Sequence, residues 1–275
     1  MSAPERWVAA LPMYNVSPAL REDWHALLAR IAERLARSDT PVALSVVEPG
    51  EGAEALHAFW RRDDVLLSQT CGYPLIHGLA GHIQLIGTPS FAARGCVEHR
   101  YTSAIMVRAK DGPATLTDCQ GMRVACNDRT SHSGMNALRH AVAPLARDGR
   151  FFAHTVYTGS HLCSLASVAE GEADVAAIDC VTLAFAREHM PAKLEGLRQI
   201  GETRAVAGLP FIASRRVGQA LLDNVRLALC ACLREDAALC ARLRLRDLVP
   251  ATVADYLPHA QMEDEAHRRG YAELR

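Results

Sequence analysis

No run of apolar residues in this 275-residue chain approaches the roughly 20 needed to span a bilayer, so membrane insertion is not expected. Neither sign of charge is in excess, with 30 Lys+Arg against 31 Asp+Glu. Without a basic run or face there is nothing to grip a phosphate backbone, and no nucleic-acid partner is expected. Low-complexity linkers and internal repeats are absent. The start, Met1-Ser2-Ala3-Pro4-Glu5-Arg6-Trp7, lacks the charged n-region and apolar h-region of an export signal and runs almost at once into a predicted strand. As written the chain reads as cytoplasmic, and as periplasmic if a leader has been trimmed away.

The 12 histidines and nine cysteines lack metal-ligand spacing. Cys230 and Cys232 lie two apart on a predicted helix, so they face different ways and chelate poorly. No metal and no cofactor are expected. Nine is an odd number, and the spacing does not resemble a disulfide framework. Most of these cysteines read as small buried hydrophobes in a reducing compartment.

What the chain does contain is alternation. Short apolar runs predict strands at 7–11, 42–47, 65–68, 83–87, 103–108, 122–126, 152–157, 175–178, 197–200 and 210–213. Between the first two lies an amphipathic helix carrying Trp24, Leu27, Leu28, Ile31 and Leu35. A helix is predicted over 161–169, with Gly171 as its stop, and the last third is helical, with Val217, Leu221, Leu222, Val225 and Leu229 on one stripe. This pattern predicts an α/β architecture with largely parallel sheets. The strands at 101–108 and 209–214 read as chain crossings between two lobes, 1–100 with 205–275, and 101–204. A two-lobed molecule of this kind places its ligand in a cleft between the lobes.

The most informative stretch is Asn127 to Arg139, a strand end, a hydroxyl-rich turn and the first turn of a helix. Such a junction leaves several backbone N–H groups without intrahelical partners, with the positive end of the helix dipole behind them. Ser131, Ser133 and Gly134 complete a seat for an anionic oxygen cluster. Further polar segments follow predicted strands: Ser68 to Pro74 with Gln69 and Tyr73, then Tyr101-Thr102-Ser103, then Thr158-Gly159-Ser160-His161, then Asp179. Ligands of open α/β sheets collect beyond the carboxyl ends of strands. Each residue also has a plain reading. Ser131 and Ser133 can be N-caps, Asp179 can cap 181–187, His161 can be a satisfied histidine, and Tyr14, Tyr73 and Tyr101 can be half-buried amphipathic residues.

The order and spacing of the set resemble the phosphonate-binding family, the substrate-binding proteins of phosphate, phosphite and phosphonate ABC transporters. The resemblance runs from Trp7 to Ser214, and its most specific part is the stretch from Thr158 through Asp179. It implies the two-lobed periplasmic binding protein type II fold, with two crossing segments and a small oxyanion held without chemical change. It also implies an ABC permease as a possible partner. The family's Ser-Thr-Ser-like turn corresponds to Ser131-His132-Ser133, its histidine to His161 and its acidic residue to Asp179. Tyr73 and Tyr101 are similar to its loop and hinge aromatics, and Tyr14 sits where the family lines its cleft. The chain departs from the pattern at His132, and Cys71, Cys163 and Cys180 flank three site segments without a role there.

Two enzymatic alternatives accompany this reading. A Ser133/His161/Asp179 hydrolase lacks the Gly-x-Ser-x-Gly elbow around its serines. A lyase of the chorismate dehydratase-like kind, on the same fold, would use Asp179 or His161 as a general base on a carboxylated substrate.

Overall fold

The computed structural model describes residues 6–50 and 52–275. Most of the opening stretch considered above for an export signal, residues 1–5, lies outside them. Thirteen strands are found among the described residues: β1 (Arg6–Ala10), β2 (Ala43–Val46), β3 (Val65–Gln69), β4 (Ile83–Phe91), β5 (Arg100–Tyr101), β6 (Ser103–Arg108), β7 (Arg123–Cys126), β8 (His154–Tyr157), β9 (Val175–Asp179), β10 (Leu197–Glu202), β11 (Val206–Ala207), β12 (Phe211–Ser214) and β13 (Leu245–Val249). The chain divides into two compact units, Met1–Ala92 with Gly208–Asp255, and Ala93–Ala207 with Tyr256–Arg275.

The first unit is built on a six-stranded sheet in the order β13-β4-β12-β3-β1-β2. The helix Pro18–Ala36 starts where Ser17 Oγ accepts the Leu20 N–H at 3.2 Å and Pro18 fixes the first helical φ. Its buried stripe is Leu20, Trp24, Leu27, Leu28, Ile31 and Leu35, the stripe that the sequence periodicity predicts. It packs on helix Gln219–Glu235, which buries Leu222, Val225 and Leu229. Each fully buried leucine or isoleucine here contributes about 1.5–3 kcal/mol of hydrophobic stabilisation.

The second unit carries a five-stranded sheet, β10-β6-β9-β7-β8, and a short pair, β11-β5. β9 is central and buried throughout, as its continuous apolar run requires. Its side chains Ala176 and Ile178 join Ala104, Met106, Leu165 and Val168 in the core of the unit. At the start of β9, Asp174 is gripped by Arg108 at 3.0 Å and Arg123 at 2.9 Å. The paired guanidinium of Arg123 holds that carboxyl down at about 2.

Two sequence expectations are corrected. The sheets are mixed rather than largely parallel: β1 pairs parallel with β2 and β3, and β7 with β8 and β9, while β12, β13, β6 and β10 enter antiparallel. Strand–helix alternation cannot reveal these late or returning strands, because they arrive from distant sequence. The second correction concerns the C-terminal segment, assigned from sequence to the first lobe. The chain passes between units near 92 and 207, as two crossings require, and again at 255. Helix Leu257–Arg268 then packs on helix Ala137–Val142, where Arg139 meets Glu263 at 2.9 Å and His140 meets Glu265 at 2.7 Å. Nearly all of Arg139 is buried, so the helix that neutralises it is held in its unit.

Candidate ligand-binding site

Parallel strands β7 and β8 end side by side, with Cys126 paired to Tyr157 in register. Beyond them the two turns are stitched together, as Thr158 N–H donates to the Cys126 carbonyl and Gly159 N–H to the Asn127 carbonyl, each at 2.9 Å. The first turn is closed by Asp128, whose Oδ1 accepts the Thr130 N–H at 2.6 Å. Ser131 then caps the helix: its backbone is extended and its Oγ accepts the Gly134 N–H at 3.1 Å. Winding begins as a wide π turn over His132–Asn136 and tightens through Ala137–Val142 to Ala143–Leu145.

The second turn leads into helix His161–Ala169, capped by Ser160 Oγ on the Cys163 N–H at 3.1 Å. Its first residue, His161, lies against the serine turn, with Nε2 2.8 Å from Ser133 Oγ. Gly134 makes this approach possible. A Cβ there would stand 1.9 Å from Asn127 Oδ1 and 3.3 Å from His161 Cε1. His161 keeps some exposed edge, yet its ring is desolvated enough to lower its pKa to about 4, opposed by the Ala177 backbone. At neutral pH it is therefore an uncharged hydrogen-bonding ring, because desolvation disfavours its protonated form.

Asp179 closes β9 at the same sheet edge, opposite Ser103 of β6. Its Oδ1 accepts the Val181 and Thr182 N–H groups at 2.7 and 3.1 Å, so it caps helix Cys180–His189. The capping readings of Ser131 and Asp179 are both physically present. Tyr101 is buried on β5, with its ring 6.2 Å from that of His132.

His132 is turned away from its serine neighbours into the interior. Asn136 Nδ2 donates to the His259 carbonyl at 2.9 Å and lies 3.1 Å from His132 Nδ1, which therefore accepts. The rings of His132 and His259 are 4.1 Å apart. Burial first, then neighbouring His259, His140 and Arg139, pull the His132 pKa well down.

The second unit thus brings Tyr101, Ser131, Ser133, Gly134, His161 and Asp179 toward one sheet edge, with His132 behind the turn. Tyr14, Gln69 and Tyr73 belong to the first unit. Tyr14 is buried edge-on against Phe91 at 5.2 Å, Gln69 Nε2 donates to the Leu209 carbonyl at 3.0 Å, and the half-buried Tyr73 ring lies 4.2 Å from that of His77. Sequence reasoning named Asn127 only as the start of the informative stretch, without a role, and missed His259. Asn127 Oδ1 is buried at Gly134 with no hydrogen-bond partner among the described residues. Its place just before the serine turn was the available signal, whereas nothing local announces His259. Among the described residues, no group of three or more His, Cys, Asp or Glu could hold a metal ion, and no helix is long and apolar enough to cross a membrane.

A helix-capped hydroxyl turn and a neutral histidine at the carboxyl ends of parallel strands suit the holding of a small anion. The comparisons with known proteins agree with that class. Residues 8–256 match the family described as ABC transporter, phosphonate, periplasmic substrate-binding protein, and the chain belongs to that family. No curated protein matches the chain by sequence.

Solved structures share the two-lobed type II fold. A binding protein component of an ABC phosphonate transporter from Pseudomonas aeruginosa has 16% identity and a TM-score of 0.77, over 97% of this chain and 88% of that one. PhnD1 from Prochlorococcus marinus, in complex with methylphosphonate, has 13% identity and a TM-score of 0.72, over 97% and 100%. XAC2383 from Xanthomonas citri, bound to ATP, has 16% identity and a TM-score of 0.70, over 96% and 98%. The family binds solutes for transport and is not enzymatic, so the lyase alternative has no support.

Proposed function

We propose that this protein holds a small oxyanion of the phosphonate, phosphate or phosphite class at the serine turn of its second unit and presents it in the periplasm to an ABC permease. The observation that carries the reading is Ser133 Oγ paired with His161 Nε2 at 2.8 Å, at the start of a helix. When the ring nitrogen donates to Ser133, the serine proton is directed to the ligand. Ser131 uses an oxygen lone pair for its cap and keeps its own O–H to donate. The methylphosphonate in the Prochlorococcus relative supports the ligand class, and ATP in the Xanthomonas relative offers the same phosphoryl oxygens.

Asp179 sets the finer preference. A carboxylate repels a fully ionised head group, so it favours a ligand that brings a protonated oxygen or an alkylammonium group. Tyr101, in the same unit as the serine turn, is the candidate for contacts to the organic part.

Isothermal titration with phosphate, phosphite, methylphosphonate and 2-aminoethylphosphonate tests the reading, with at least one expected to bind. Ser133→Ala should weaken that ligand by about 1–3 kcal/mol, the loss of a donor to a charged group. No binding of any of the four overturns the ligand class, and an unchanged dissociation constant in Ser133→Ala overturns the role of the turn. Asp179→Asn keeps a capping side chain and removes the charge. If an amino group is the partner, this variant loses roughly tenfold or more in affinity for 2-aminoethylphosphonate relative to methylphosphonate.

A further inference from the structure

Cys96 and Cys180 make none of the site's hydrogen bonds, yet their sulfur atoms lie 3.5 Å apart. Cys180 is buried as the first residue of helix Cys180–His189, directly after Asp179. Cys96 is half-buried in the connection between β4 and β5. Backbone contacts hold that connection in place. Cys180 N–H donates to the Thr102 carbonyl and Thr102 N–H to the Gly95 carbonyl, each at 3.1 Å. Gly95 has φ +95°, and a Cβ there would stand 2.9 Å from Cys180 Cβ and 2.6 Å from Thr102 Oγ1. A glycine therefore lets the backbone pass directly over Cys180, and the next residue delivers its sulfur.

We propose that Cys96 and Cys180 form an intramolecular disulfide under oxidising conditions, tying the loop before β5 to the residue that follows Asp179. A disulfide needs its sulfurs at about 2.0 Å, a further approach of about 1.5 Å from the present separation. The oxidant is a small-molecule or protein disulfide, such as oxidised glutathione. The Cys96 thiol, the more accessible, loses its proton and attacks one sulfur of the oxidant. The oxidant's S–S bond breaks, one thiolate leaves, and a mixed disulfide remains on Cys96. Cys180 then loses its proton and attacks Cys96 Sγ, expelling the second thiolate. Two cysteine thiols are oxidised by two electrons, and one disulfide is reduced to two thiols, which take up the two protons. The hydrogen bond to Cys96 and burial both raise the pKa of Cys180, so Cys96 rather than Cys180 is the sulfur that attacks the oxidant first. A periplasmic family meets an oxidising compartment, where such a bond persists.

The full chain is incubated with oxidised glutathione, its remaining thiols are alkylated, and the digest is mapped by mass spectrometry without reduction. The expected result is one peptide pair joined through Cys96 and Cys180, with neither residue alkylated. Dithiothreitol separates the pair, and Cys96→Ser, a change in a half-buried connection, removes it. Alkylation of both residues after oxidation overturns the proposal, as does a stable glutathione adduct on Cys96 or a joined pair through Cys163. The wild-type map decides by itself, so a poorly folding variant leaves the test intact.

Discussion

At Gly134 a missing methyl group decides how closely two turns approach. Asn127 Oδ1 occupies the space a side chain would need, and the His161 ring lies just beyond. Gly134→Ala therefore forces Asn127 aside, with an overpacking cost of about 1–3 kcal/mol. Urea unfolding should show this loss, and Asn127→Ala in the same chain should recover most of it. The residue scale is also where the sequence speaks least clearly. Ser131, Ser133 and His161 were legible because each follows a strand at a turn. Whether Asp179 caps or binds was not, since a carboxylate at a strand end suits both, and the structure gives it a cap. His132 lies between two site serines in sequence, yet the helical turn sends its ring the other way, toward a partner 127 positions later.

Among the elements, helix Leu257–Arg268 braces the serine turn from outside it. It packs on helix Ala137–Val142, the continuation of that turn, through Arg139. Arg139 donates to Glu263 at 2.9 Å, to Asn136 Oδ1 at 2.7 Å and to the Ala272 carbonyl at 2.9 Å. Arg139→Met should destabilise the protein by about 3–5 kcal/mol, because it takes a buried guanidinium away from the Glu263 carboxylate and from the Asn136 and Ala272 acceptors. Denaturant titration measures the loss, and the double variant Arg139→Met/Glu263→Gln should recover part of it. The long helices were legible in sequence from their apolar stripes. Periodicity shows that a face is buried but not against what, so the C-terminal helix was placed with the wrong partner. β13 was overlooked because Arg246 and Asp247 interrupt its apolar pattern, and an edge strand can carry such residues on its outer side.

For the whole molecule, stability should depend on pH through groups held in one protonation state. His161 titrates near 6.5 when unfolded and near 4 when folded, so the unfolded chain binds the extra proton between those values. Stability is complete above about 6.5 and falls as pH drops toward 4, with His132 acting in the same direction. Thermal melts from pH 7.5 to 4 should show this slope, and His161→Gln should flatten part of it. Below that window Asp174 adds a second loss, between 3.8 and about 2, as its two arginines lose their partner. The two-lobed α/β class was legible from strand–helix alternation and from the order of the polar segments. Strand direction was not, because antiparallel returns depend on where distant segments come back to a sheet.

Because 256–275 complete the second unit, the order of emergence from the ribosome matters. Both stretches of the first unit are translated before the segment that lays His259 against His132 and Glu263 against Arg139. The nascent chain can therefore finish its first unit while the serine turn still lacks its buttress. The serine turn is thus braced by a segment that lies beyond both stretches of the first unit in the chain.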